Sequence, residues 1–198
     1  MHIYSLKKIE TPRIILRPLQ LGDEIEMNEC IDHSIESLKK WMPWAQNSNL
    51  AATKDFVYSS VASWKAKSGN NFPMAIIYKP NQKLIGATGF TEDSTIARGI
   101  YAIGYWIDLA YRGQGLVTES VNGLTRYAFD RLQAKAVNIL VKEANHKSIA
   151  IPSRLGFGCT PVKLQDNINQ TTVRDILLFT RDNTSLLPPL EVNWSENK

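Results

Sequence analysis

The run Arg112-Gly113-Gln114-Gly115-Leu116-Val117 sets two glycines and a permanent cation directly ahead of a stretch with helical spacing. The chemistry such a turn offers is anion binding. The first amides of a helix lack carbonyl partners within it, and the helix dipole adds partial positive charge at the same point. Glycine lets the backbone approach phosphate oxygens in conformations closed to other residues. A P-loop is excluded, because Leu116-Val117-Thr118 follows where that motif needs Gly-Lys-Ser/Thr. A dinucleotide fingerprint is excluded as well. Thr118 stands where its third glycine belongs, and an antiparallel meander precedes the turn instead of a parallel βαβ unit.

A second polar run, Asn145-His146-Lys147-Ser148, opens another helical stretch. Asn145 has the residue type of an N-cap, and Ser148 falls in the first turn, so capping and ligand binding can coexist there. Glu119, four residues past Gly115, reads as a structural acid at the positive end of its helix. His33 and His146 have no second ligand at metal spacing, so no metal site is expected.

Several elements must position these residues. Arg13 to Leu19 reads as a first strand stopped by Pro18, and residues 22–44 as a helix in two pieces ending at Pro43. Phe56, Val57, Ser60, Val61 and Trp64 recur at helical spacing up to the breaker cluster Ser68-Gly69-Asn70-Asn71. Three strand-like runs then follow at 72–78, 84–90 and 100–107, separated by short turns, which is the pattern of an antiparallel meander. A helix from about Gly115 to Leu132 carries Val117, Val121, Leu124, Ala128 and Leu132 on one stripe. A strand at 136–141, a helix beginning near Asn145, and strands at 157–164 and 172–180 complete the order. The crossover helix predicts that the strands at 100–107 and 136–141 are parallel neighbours. Residues 1–182 are expected to form a single domain, and 183–198 a C-terminal extended tail.

With those elements in place, Ile103-Gly104-Tyr105-Trp106 through Glu119-Ser120 resembles the signature strand, loop and helix of the GNAT superfamily of N-acetyltransferases. Arg112 and Gly115 match its Gln/Arg-x-x-Gly-x-Gly/Ala pattern, and Val117 departs from the small residue at the last position. Asn145 and Ser148, followed by Leu155-Gly156-Phe157, are similar to the family's Asn-x-x-Ser and terminal Gly-Phe. Leu38-Lys39-Lys40-Trp41-Met42-Pro43-Trp44 resembles a segment of the RimJ/RimL-like ribosomal-protein N-terminal acetyltransferases. The resemblance spans about residues 10 to 181.

The resemblance implies a GNAT fold of class α+β (α/β by some schemes). Its mixed, largely antiparallel central sheet is flanked by helices, with a splayed parallel strand pair at the cofactor site. It implies acetyl-CoA as co-substrate, with the pyrophosphate on Arg112, Gly113, Gln114, Gly115, Leu116 and Val117. The pantetheine arm would run beside Tyr105, Trp106 and Ile107 and toward Asn145 and Ser148. Amides left unpaired by the splay would polarise the thioester carbonyl, and a neutral amine would attack directly. Two familiar proton-transfer residues are replaced, a strand glutamate by Ala102 and a tyrosine by Pro152. The resemblance to the RimL-like members implies the serine of Asn-x-x-Ser, Ser148, as the acid near the sulfur, and Glu92, at the end of a strand beside the cleft, or a water chain is the expected base. Trp41 and Trp44 are expected at the substrate pocket. The acceptor is a primary amine, either a protein N-terminal α-amine or a small molecule such as an antibiotic, a polyamine or an amino acid. A catalytically weak acyl-CoA-binding module is the other reading.

Bulk properties are consistent with this and narrow the setting. The 198 residues are 43% hydrophobic and 21% charged, a globular profile with no apolar run of membrane length. The net charge of +4 is scattered, which argues against a nucleic-acid surface. Two distant cysteines, Cys30 and Cys159, argue for a reducing cytoplasm, and Cys159 reads as a buried strand residue. No membrane partner is expected, and a homodimer is left open.

Overall fold

The computed structural model describes residues 3–165 and 173–197. Their strands form one mixed sheet in the order β7-β8-β6-β5-β4-β3-β2-β1-β9. In chain order these are β1 Leu6–Glu10, β2 Ile14–Pro18, β3 Phe72–Tyr78, β4 Lys83–Phe90, β5 Ile100–Ile107, β6 Ala136–Lys142, β7 Gly158–Gln165, β8 Val173–Arg181 and β9 Asn193–Glu196. The helices are α1 Asp23–Leu38, α2 Leu50–Ala66, α3 Leu116–Asp130 and α4 His146–Arg154.

β5 and β6 are the parallel pair, as the crossover by α3 requires, and the other printed pairings are antiparallel. Helices cover both faces of the sheet, so β3 is buried along six of its seven residues instead of alternating. One core lies under α3 and α4 and includes Ile9, Ile76, Ile103, Val121 and Phe179. The second lies under α1 and α2 and includes Met27, Ile31, Val57, Ile77 and Ala87. Trp64 of α2 is buried, and its indole N–H donates to the Pro73 carbonyl at 2.9 Å.

The boundaries differ from the sequence expectation in instructive places. The helix expected in two pieces ending at Pro43 is one α-helix that ends at Leu38; Trp41 and Met42 bond back to the Leu38 carbonyl, and a 3-10 turn begins at Pro43 and runs to Asn47. A proline fits only the first turn of a helix, which is where Pro43 stands. β1 and β9 were not anticipated, because neither Leu6–Glu10 nor Asn193–Glu196 alternates cleanly. They pair with each other antiparallel at the sheet edge. Within the stretch expected as a C-terminal tail, Trp194 meets Tyr127 edge-on, and Arg131 bonds Glu196 at 2.6 Å. The start expected for the last long strand, Thr172, lies outside the described residues. Cys159 is exposed, contrary to expectation, because β7 is an edge strand.

Candidate functional site

The two-glycine turn is built from three directions. Gly113 and Gly115 adopt φ of 76° and 77°, the left-handed region where a side chain is strained. Gly115 caps α3, and the first helical bond runs from the Glu119 N–H to the Gly115 carbonyl at 3.0 Å. The amides of residues 116–118 thus have no acceptor within the helix, while the side chains of Leu116 and Val117 are buried in the core. Glu119 fixes the turn from below. Its carboxylate accepts from Thr11 Oγ1 at 2.6 Å, from the Arg13 N–H at 2.9 Å and from Arg13 Nε at 2.6 Å. Arg13 also donates through Nη1 to the Gln114 carbonyl at 2.8 Å.

The third direction is α1. Ser37 Oγ accepts from Arg112 Nη1 at 2.6 Å, and Ser34 Oγ accepts from the Leu109 N–H at 2.8 Å. Asp108 accepts from the Ala110 N–H at 2.8 Å and lies 3.4 Å from His33 Nδ1. The turn is held by these bonds, and the space beside Gly113 is open, with nothing within 4 Å of where its Cβ would lie. That arrangement is suited to a polyanion.

Beside the turn, the sheet opens. β5 pairs with β4 from Ile103 to Ile107, but with β6 only at Ile100, Tyr101 and Ala102. The Asp108 N–H donates to Ile85 and the Ala102 carbonyl accepts from Thr91, so even-numbered residues of β5 address β4. Strand alternation then turns the N–H and C=O of Tyr105 and Ile107 toward the opening.

The opening is spanned by two side chains. Tyr105 OH donates to the Ser148 carbonyl at 3.0 Å, and Ser148 Oγ donates to the Tyr105 oxygen at 3.1 Å. Burial pushes the Tyr105 phenol up to about 12, although the Ser148 hydrogen bond works in the other direction. It stays protonated throughout the physiological range. Asn145 caps α4, its Oδ1 accepting from the Ser148 N–H at 3.2 Å, which fixes Ser148 in place. The Tyr105 hydroxyl was invisible in the sequence, since its partner lies 43 residues away.

On the other face of β5 lies a cavity of about 410 Å³. Trp44 and Trp106 line it, with ring centroids 6.0 Å apart. Glu92 lines it too, exposed in the turn after β4, together with Asp93. Trp41, expected beside Trp44, is outside the cavity wall in the turn that ends α1. Ala102 and Pro152 are both buried. The Ala102 N–H donates to Ser94 Oγ at 2.9 Å. Among the described residues no cluster of three His, Cys, Asp or Glu is placed to hold a metal, and no helix is long and apolar enough to cross a membrane.

Comparison with known proteins agrees with this geometry. A family model for the acetyltransferase (GNAT) domain matches residues 13–158. A Bacillus subtilis protein, YdaF, provisionally named a ribosomal N-acetyltransferase, is 29% identical over 146 residues, which are 73% of this chain and 77% of that protein. Among solved structures, RimL, a ribosomal alpha-N-protein acetyltransferase in complex with coenzyme A, superposes with a TM-score of 0.77 at 17% identity, covering 90% of this chain and 99% of RimL. The microcin self-immunity acetyltransferase MccE, in complex with acetyl-CoA and AMP, gives 0.75 at 24% identity, covering 87% and 93%. A ribosomal-protein-alanine acetyltransferase from Vibrio fischeri gives 0.74 at 19%, covering 91% and 99%. At these identities the structures show a shared fold.

Proposed function

The chain belongs to the acetyltransferase (GNAT) domain family, and from that premise we propose that it moves an acetyl group from acetyl-CoA to a primary amine, with a protein N-terminal α-amine as acceptor. The observation that carries the reading is the three-residue limit of the β5–β6 pairing, directly beside the glycine turn. Acetyl-CoA supplies the acetyl group as an activated thioester. Residues Gly113 to Val117 hold the pyrophosphate on backbone amides, with the positive end of α3 behind them. Arg112 serves mainly by fixing the loop against Ser37. The outward backbone groups of Tyr105 and Ile107, flanking Trp106, hold the pantetheine amides as an added strand would. One such N–H polarises the thioester carbonyl.

Proton transfers fall to side chains at the two ends of the site. The Ser148 hydroxyl delivers a proton at the departing sulfur and recovers one from solvent, while Tyr105, already in contact, holds it in position. Glu92, on the cavity wall, takes the proton from the acceptor ammonium directly or through water. RimL and the Vibrio fischeri enzyme, both named for ribosomal proteins, favour a protein α-amine. The cavity of about 410 Å³ favours a second reading, a small-molecule amine, because it is of small-ligand size. The two free cysteines support a cytoplasmic setting.

The test is thiol release from acetyl-CoA across a panel of peptides and small amines, with calorimetric titration of CoA in parallel. Saturable CoA binding with amine-dependent thiol release is expected. Absence of CoA binding would overturn the reading, and binding without turnover on any amine would reduce the protein to a CoA-binding module.

A further inference from the structure

The cavity on the α1–α2 face has an uneven chemistry that bears on what it accepts. Among its described lining residues the only formal charges are the carboxylates of Glu92 and Asp93. Lysine, arginine and histidine are absent from that wall. Both acids sit just past the end of β4, beyond Phe90. The other end is apolar. Met27 and Ile31 of α1, Met42, and the Trp44–Trp106 pair converge over Ala87, which lies opposite Trp106 in the β4–β5 register. Trp44 remains 44% exposed, an aromatic surface with room for a partner.

From this polarity, and resting on the acetyl-transfer reading, we infer that the preferred acceptor is a primary ammonium attached to a large apolar or aromatic group. The cation is drawn to the Glu92–Asp93 end, and the apolar group lies against Trp44, Met27 and Ile31. Three kinds of amine are disfavoured by the same wall. A polyamine would carry a second cation into the apolar end, where no carboxylate meets it. An aminoglycoside or a seryl amine would place hydroxyls against Met27, Ile31 and Met42, which offer them no strong hydrogen-bond partner. Methionine side chains can adapt to different apolar shapes, so the wall selects for apolar bulk more than for one outline.

Equilibrium binding to the CoA-loaded protein tests this without depending on turnover. Phenylalaninamide, leucinamide, serinamide and spermidine are titrated calorimetrically, alongside hexapeptides beginning with Phe or Ser. Phenylalaninamide and leucinamide are expected to bind at least about tenfold more tightly than serinamide or spermidine. Trp44→Ala is expected to remove most of that difference, with Trp44→Phe restoring it and the CoA affinity of each variant reporting on the fold. Equal or tighter binding of serinamide or spermidine overturns the inference while leaving acetyl transfer intact, as does failure of every amine to bind. Loss of CoA binding by the unaltered protein instead overturns the acetyl-transfer reading. The peptide arm separates sources of the same chemistry: a Phe-initial hexapeptide exceeding phenylalaninamide points to a protein N-terminus, and the reverse to a free amine, each supporting the apolar preference.

Discussion

The two edges of β5 do opposite work. Toward β4 the strand is paired across five residues, and the fit is so close that a Cβ on Gly86 would lie 2.4 Å from the Trp106 carbonyl oxygen and 2.8 Å from the Ile107 Cα. Toward β6 the pairing stops after three residues, and the Tyr105–Ser148 hydrogen bonds cross the opening. An unpaired backbone edge is a defect in a core unless something else occupies it. One strand therefore serves as scaffold on one side and as a receptor on the other, and substitutions on the two sides should be felt in different measurements.

The largest effect is expected on the scaffold edge. Gly86→Ala pushes the new methyl into backbone that cannot move without breaking the pairing, and should cost about 3 kcal/mol, read as a fall in denaturation midpoint. An unchanged midpoint would break the contrast. On the receptor edge, Ser148→Ala should lower kcat about 100-fold while the midpoint hardly moves, because the lost hydrogen bond bridges an opening and no core is disturbed. Unchanged turnover would remove Ser148 from the mechanism. Gly115→Val should weaken CoA binding about tenfold, since the left-handed φ costs a β-branched residue roughly 1–2 kcal/mol that the cradle must absorb.

The smallest effect sharpens the comparison through pH. Burial raises the Tyr105 phenol from 10.0 to about 12, so the folded state holds this proton more tightly than the unfolded chain does. That contribution is complete below about pH 10 and is lost as pH rises toward 12. Cys30 behaves alike, raised from 9.0 to about 12 first by burial and then by nearby Asp108. Melting temperature should thus fall on the alkaline side, and fall less steeply for Tyr105→Phe between about pH 10 and 11. An identical slope for the two proteins would contradict the burial of that hydroxyl.

What the sequence disclosed follows from how local each signal is. The glycine turn, the α3 stripe and the three meander strands are written in neighbouring residues, and β5 spans the expected 100–107. Asn145 likewise declares itself as a cap. The Arg13–Glu119 anchor is different: it spans 106 residues, and nothing near either residue names the other. Ser37 under Arg112 and Tyr105 against Ser148 are hidden for the same reason, being products of topology. β9 is the edge strand and β1 its inner neighbour, paired on both sides, and neither short strand shows a clean two-residue period. Trp41 and Trp44, three residues apart, are separated by a helix end and a proline turn, so only Trp44 reaches the cavity.

The claim that the β6-facing edge of β5 is the receptor can be tested directly by residue-resolved amide hydrogen exchange, with and without CoA. Binding should slow exchange at Tyr105 and Ile107, and at residues 116–118, by at least about tenfold. Gly104 and Trp106, whose amides already address β4, should change little. Slowing confined to other parts of the chain, or equal at the even- and odd-numbered residues of β5, would contradict the account.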